Sequence, residues 1–232
     1  MCTLTLHQVG NALIFTSNRD DQVGRNSLKY AQVQQGDFEL FYPQDALQKG
    51  TWLALTSQGD VAILLNGCEV KHQKEAHHVQ SRGRIPIEFL KSKLSLFDFQ
   101  RRFDFHSFEP FTLIAYVNKE LEELKWDGQL ARVRKLPVDK KAYIWSSVTL
   151  YDEPTRKQRE ETFYQFLAQN LPAAEPIFQL FLKTFLLNRE PIITLSTSQI
   201  VLDPAFILFK SYHHIEQQEI SKLFLRDETS ES

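Results

Sequence analysis

Residues 2–8 and 12–18 alternate apolar and polar side chains on either side of Gly10-Asn11, which predicts an antiparallel hairpin. The same period of two returns at 51–57 and 61–66, around Gln58, Gly59 and Asp60, and again at 111–118, 121–127 and 130–137. Between these sets, residues 69–84 are polar and aperiodic and read as a loop. A helical period then opens at Pro86 and carries Phe89, Leu90, Leu94 and Phe97 toward Phe103. After a loop at 151–154, residues 155–170 put Phe163, Phe166 and Leu167 on one helix face and stop at Asn170 and Pro172. A further apolar helix covers about 175–187. Strands are predicted at 191–197, 199–203 and 205–214, followed by a short helix and a disordered, Ser- and Glu-rich tail at 226–232.

Hairpin-linked strands make antiparallel sheets, and amphipathic helices need a sheet face to cover. The strands are too many for one layer. The pattern therefore predicts an α+β protein, a four-layer αββα sandwich of two antiparallel sheets with helices outside. No internal repeat or low-complexity linker interrupts it, so residues 1–225 are expected to form one domain.

Charge narrows the partners. The 27 Lys+Arg against 29 Asp+Glu give a net charge of −2, which removes the electrostatic case for nucleic acid or an anionic membrane surface. The 2 cysteines exclude a disulfide framework and fit a reducing compartment. No apolar run reaches the roughly 18 residues of a membrane span, and His7, Gln8 and Asn11 break any signal-peptide core. A cytoplasmic protein is expected. Its 8 glycines form neither a dinucleotide fingerprint nor a P-loop, which argues against a common dinucleotide or nucleoside-triphosphate site.

The chemistry begins at Cys2. Its small side chain favours removal of Met1, which would leave a thiol and a free α-amine on one residue. An α-amine has a reference pKa near 7.7–8.0 and can deprotonate an adjacent thiol at neutral pH. The plain alternative is a small apolar residue on an edge strand. A tight turn at Gly10-Asn11 pairs residue i with roughly 21 − i, which sets Asn18, Arg19 and Asp20 beside the start of the chain. There a carboxylate could hold the amine, and a guanidinium could lower the thiol pKa. A solvated Arg-Asp pair at a strand end is the structural alternative.

Taken in order, Met1-Cys2, the block Ser17-Asn18-Arg19-Asp20-Asp21, the block Gly50-Thr51-Trp52-Leu53, the strand end Leu65-Asn66 and the block Ser81-Arg82-Gly83 resemble the NRDE family, the relatives of transport and Golgi organization protein 2. That resemblance implies an N-terminal-nucleophile hydrolase-like fold and a distant likeness to bile salt hydrolases and penicillin V acylases, which cleave non-peptide amides. It makes Cys2 nucleophile and base, Arg19 and Asp20 its charge partners, and Asn66 an oxyanion-hole donor. Asn18, Trp52, Arg82 and Ser147 are the accompanying substrate-site candidates. Departures from the family pattern are Asp21 in place of Glu, Lys49 before Gly50, Ala54 after Trp52-Leu53, and Ser146-Ser147 where such enzymes place a second Asn. The hydrolase reading calls for a small-molecule substrate or ligand and no cofactor. Some family members are associated with haem handling, so a non-catalytic carrier of a ligand such as haem, or a trafficking protein retaining the same fold, is the alternative function.

Other clusters weigh less. Cys68, His72, His77 and His78 match no standard zinc spacing and read as a polar loop, and His213-His214 face opposite sides of a strand. No metal site is expected.

Overall fold

The first hairpin forms with the register its turn dictates. Strand β1 (Thr3–Val9) pairs with β2 (Ala12–Gln22) from Thr3↔Asn18 to Val9↔Ala12, every pair summing to 21. Gly10, at φ +58°, takes the left-handed turn position that glycine tolerates best. The computed structural model describes residues 3–25, 28–139, 142–170 and 173–226; Cys2 and nearly all of the 226–232 tail lie outside these.

In chain order, β3 (Leu28–Gln35), β4 (Phe38–Asp45), β5 (Leu53–Thr56) and β6 (Val61–Asn66) precede helices α1 (Ile85–Ser92) and α2 (Leu96–Arg102). Strands β7 (Phe111–Val117), β8 (Glu120–Trp126), β9 (Ala131–Leu136) and β10 (Ala142–Ser146) follow. Helices α3 (Glu153–Gln169) and α4 (Ala174–Lys183) then lead into β11 (Asn188–Arg189), β12 (Ile192–Leu202), β13 (Phe206–His213) and β14 (Gln218–Leu225). Two compact units result, one drawn from residues 1–26, 139–146 and 151–232, the other from 27–138 and 147–150.

In the first unit the sheet order is β10-β1-β2-β12-β13-β14, with β11 against β12. Its helices bury Phe163, Ile177, Phe181 and Phe185 with Ala142. In the second unit β3 to β9 form a sequential antiparallel sheet, covered by α1 and α2 around Leu40, Leu64, Phe89, Phe99, Phe105, Phe111 and Trp126. The two antiparallel sheets with helices are the α+β class expected. No helix among the described residues is long and apolar enough to cross a membrane.

Several elements depart from the sequence pattern. The hairpin β3–β4 was not expected, because Gln and Lys break the alternation of 28–35 and Pro43 sits within 38–45. Pro43 is tolerated because β4 pairs with β5 only at Leu40 and Phe41, so the missing N–H leaves no partner waiting on that side. Strand β10 was missed as well. The single helix expected from Pro86 to Phe103 is two: Lys93 turns left-handed at φ +55°, and Ser95 caps α2 by accepting from the Asp98 N–H at 3.1 Å. The separate strands at 191–197 and 199–203 are one strand, β12, with a register shift between Thr194 and Ser196. Where a short helix was expected, residues 218–225 add the edge strand β14.

Candidate active site

The end of β2 carries the charged candidates, and strand alternation separates them. Side chains at 16, 18 and 20 leave on the face toward α3 and α4, and those at 15, 17 and 19 leave on the other. Arg19 and Asp20 therefore point away from each other. Arg19, 3% exposed, meets Asp21 instead, with Nη2 3.4 Å from Oδ2, and Arg25 Nη1 approaches the same oxygen at 2.9 Å. Arg19 lies across from Ser196, which lies across from His213. Burial lowers the His213 pKa and the Arg19 charge lowers it further, against the pull of Glu216.

On the helix side, Asp20 is a buried acceptor. One carboxylate oxygen takes a short hydrogen bond from the Tyr151 hydroxyl and the other takes the Thr194 hydroxyl at 2.6 Å. Beside it, Asn18 donates through Nδ2 to the Phe185 carbonyl at 2.8 Å, which fixes its amide orientation. Its Oδ1 then accepts from Thr197 Oγ1 at 2.8 Å. With that hydroxyl proton spent, His214 Nε2, 2.9 Å from Thr197 Oγ1, must be the donor. Burial holds the His214 pKa below its ordinary value. Arg159 completes the layer: Nη1 donates to Thr3 Oγ1 at 3.0 Å and to the Phe185 carbonyl at 3.1 Å, and the guanidinium stands 4.2 Å from the Tyr151 ring centre.

The remaining candidates lie in the second unit. Asn66 ends β6 opposite Phe111, and its side-chain amide makes no hydrogen bond among the described residues. Ser147, the substrate-site candidate that stands where such enzymes place a second Asn, gives its hydroxyl to the Asn66 carbonyl at 2.7 Å and lies 2.9 Å from Thr149 Oγ1. Trp52 is buried, and its carbonyl accepts from the Leu64 N–H at 2.8 Å. Arg82 donates to the Pro110 carbonyl at 3.1 Å and stands 3.6 Å from Glu109, which His72 also meets at 3.2 Å. Burial opposes ionisation of Glu109, but Arg82 and His72 outweigh it and hold its pKa low. Burial raises the Cys68 thiol. No group of three or more His, Cys, Asp or Glu among the described residues is placed to hold a metal ion.

Sequence reasoning did not single out Tyr151, Arg159, Thr194 or Thr197. A signal for Arg159 was available: it sits one helical turn before Phe163, on the buried face of α3. Nothing in the sequence marks Thr194 or Thr197, whose roles depend on β12 lying beside β2.

The sequence pattern of one family matches residues 1–217, from the head of the chain past the end of β13. The chain belongs to the Transport and Golgi organisation 2 family. No curated protein sequence matches it. Among solved structures it is similar to a Caenorhabditis elegans N-acylethanolamine-hydrolyzing acid amidase ortholog, at 15% identity over 86% of this chain and 92% of that one, with a TM-score of 0.52. It is also similar to a conjugated bile acid hydrolase from Clostridium perfringens. A cysteine-to-alanine mutant of that enzyme matches at 9% identity over 100% of this chain and 94% of that one, TM-score 0.60. An arginine-to-leucine variant matches at 9% over 98% of both chains, TM-score 0.57. At such identities the likeness shows the fold, which is the N-terminal-nucleophile hydrolase-like one that the motif blocks implied.

Proposed function

We propose that this family member is an N-terminal-cysteine amidohydrolase that cleaves a small, non-peptide amide through an acyl-enzyme on Cys2. Once Met1 is removed, the α-amine of Cys2 takes the thiol proton and Sγ attacks the amide carbonyl carbon. An N–H of the Asn66 side chain stabilises the oxyanion that forms. Collapse breaks the C–N bond, and the leaving amine carries off the proton held by the α-ammonium. Water, deprotonated by the same amine, then opens the thioester and releases the acid.

The buried Arg19 guanidinium, held by the partly exposed Asp21 at the end of β2, is the observation that supports this most. A cation held on a strand that pairs with the head of β1 favours a thiolate over a thiol. The proteins of similar structure, an acid amidase ortholog and a bile acid hydrolase, point to the same reaction class. Within their own units, Asn18 braces β2, while Trp52 and Arg82 brace the loops around β5 and Pro110. The test is N-terminal sequencing followed by a screen of N-acyl amides for released amine. Hydrolysis that requires a mature Cys2 and vanishes in Cys2→Ala is the expected result. A mature chain that keeps Met1 contradicts it, since the nitrogen is then an amide. Saturable ligand binding without turnover would favour the carrier role.

A further inference from the structure

We propose that Ser147, backed by Thr149, is a positioning residue whose task is to hold Asn66 in register for the oxyanion. This rests on the hydrolase reading above. The peptide that follows Asn66 is fixed on every polar atom. The Asn66 carbonyl accepts from Ser147 Oγ at 2.7 Å, the Gly67 N–H donates to the Pro110 carbonyl at 2.9 Å, and the Gly67 carbonyl accepts from Thr112 Oγ1 at 3.1 Å. Sterics close the remaining side. Gly67 sits at φ +84°, and a Cβ there would stand 2.5 Å from Val148 Cγ2 and 2.9 Å from Thr149 Cγ2.

The Asn66 side-chain amide, by contrast, has no hydrogen-bond partner among the described residues. A donor left open on a backbone clamped this fully is preorganised: it need not reorient when charge develops on a bound carbonyl oxygen. Ser147 cannot itself be that donor, because its one proton goes to the Asn66 carbonyl. Its neighbour Thr149 completes the chain by supplying the hydroxyl proton that Ser147 Oγ accepts. The Ser-for-Asn departure in the sequence thus becomes support for the remaining Asn rather than a weaker copy of it.

Two reactions of the mature protein separate positioning from general damage. Alkylation of Cys2 by iodoacetamide forms an S–C bond and expels iodide without an oxyanion. Acylation by a p-nitrophenyl ester forms the S–C(=O) bond, breaks the ester C–O bond and expels p-nitrophenolate, while the thiol proton goes to the α-amine. Ser147→Ala should alkylate at the wild-type rate but acylate about 10-fold or more slowly, since misplacement of a reacting group by about 1 Å can cost roughly 100-fold. Thr149→Val should shift acylation the same way by less. The double variant Asn66→Ala/Ser147→Ala should acylate no more slowly than Asn66→Ala alone. Wild-type acylation in Ser147→Ala, or a full additional loss in the double variant, overturns the proposal.

A wild type that takes no acyl group at all ends the hydrolase reading instead, and a second readout then decides. In ¹⁵N spectra the Asn66 side-chain amide signals should move toward the shifts of an unstructured Asn in Ser147→Ala. Identical Asn66 signals in both proteins refute the positioning role whatever the chemistry.

Discussion

Arg19 and Asp21 form an ion pair at 3.4 Å across the same face of β2, while Asp20 between them points the other way, into hydrogen bonds with Tyr151 and Thr194. Adjacent acidic residues thereby acquire different tasks. Asp20 ties the sheet to the segment entering α3, and Asp21 orients a buried guanidinium.

That division predicts opposite outcomes for two conservative substitutions. Asp20→Asn should lower stability by about 1–3 kcal/mol, because an amide offers one acceptor oxygen where two hydroxyls donate. Asp21→Asn should change stability little, since Asp21 is partly exposed, but should alter Cys2 reactivity through Arg19. Chemical denaturation and alkylation kinetics on both variants check the split. A stability loss in Asp21→Asn matching that of Asp20→Asn would contradict it.

Two glycines from separate sequence blocks are predicted to be intolerant of any side chain. A Cβ on Gly50 would stand 2.7 Å from the Gly83 carbonyl carbon, and one on Gly83 would stand 2.9 Å from the Thr51 nitrogen. The Thr51 N–H donates to the Gly83 carbonyl at 2.8 Å, so the backbones cannot part without losing that bond. Gly50→Ala and Gly83→Ala should each cost about 1–3 kcal/mol or more by thermal unfolding. Gly10→Ala, whose Cβ meets nothing within 4 Å, should pay only the smaller cost of its positive φ.

His7 predicts an acid-sensitive stability. It is 1% exposed on β1, neither ring nitrogen has a hydrogen-bond partner among the described residues, and burial lowers its pKa from the ordinary 6.5 to about 4. The unfolded chain therefore binds the His7 proton first, and stability falls as pH drops from about 6.5 toward 4. By pH 5 the loss from this one group is about 2 kcal/mol. His213 and His214 are lowered in the same direction, so the contrast with His7→Leu isolates the term. Urea unfolding at pH 7 and pH 5 should show the wild type losing more stability than the variant; equal losses would refute the assignment.

What the sequence disclosed follows the physics of each element. The β1–β2 register was legible because a two-residue turn leaves the pairing little freedom, and Thr3↔Asn18 falls where the turn puts it. The motif glycines were visible, but their mutual contact was not, since it joins positions 33 residues apart (83 − 50). Strand β3 was illegible because an edge strand tolerates Gln and Lys that blur its alternation. The Asp20–Tyr151–Thr194 cluster could not be read because its members come from three separate stretches that only the assembled sheet and helix bring together.

The central claim is an activated thiol on Cys2, and the direct measurement is the rate at which a thiol electrophile labels each of the 2 cysteines, mapped by peptide mass across pH. Cys68 is buried and its pKa is raised, so it provides the slow internal reference. The account predicts that Cys2 labels faster than both Cys68 and a short peptide with an N-terminal Cys, and that Arg19→Gln removes the advantage over the peptide. Labelling of Cys2 no faster than the peptide, and unchanged in Arg19→Gln, would contradict it.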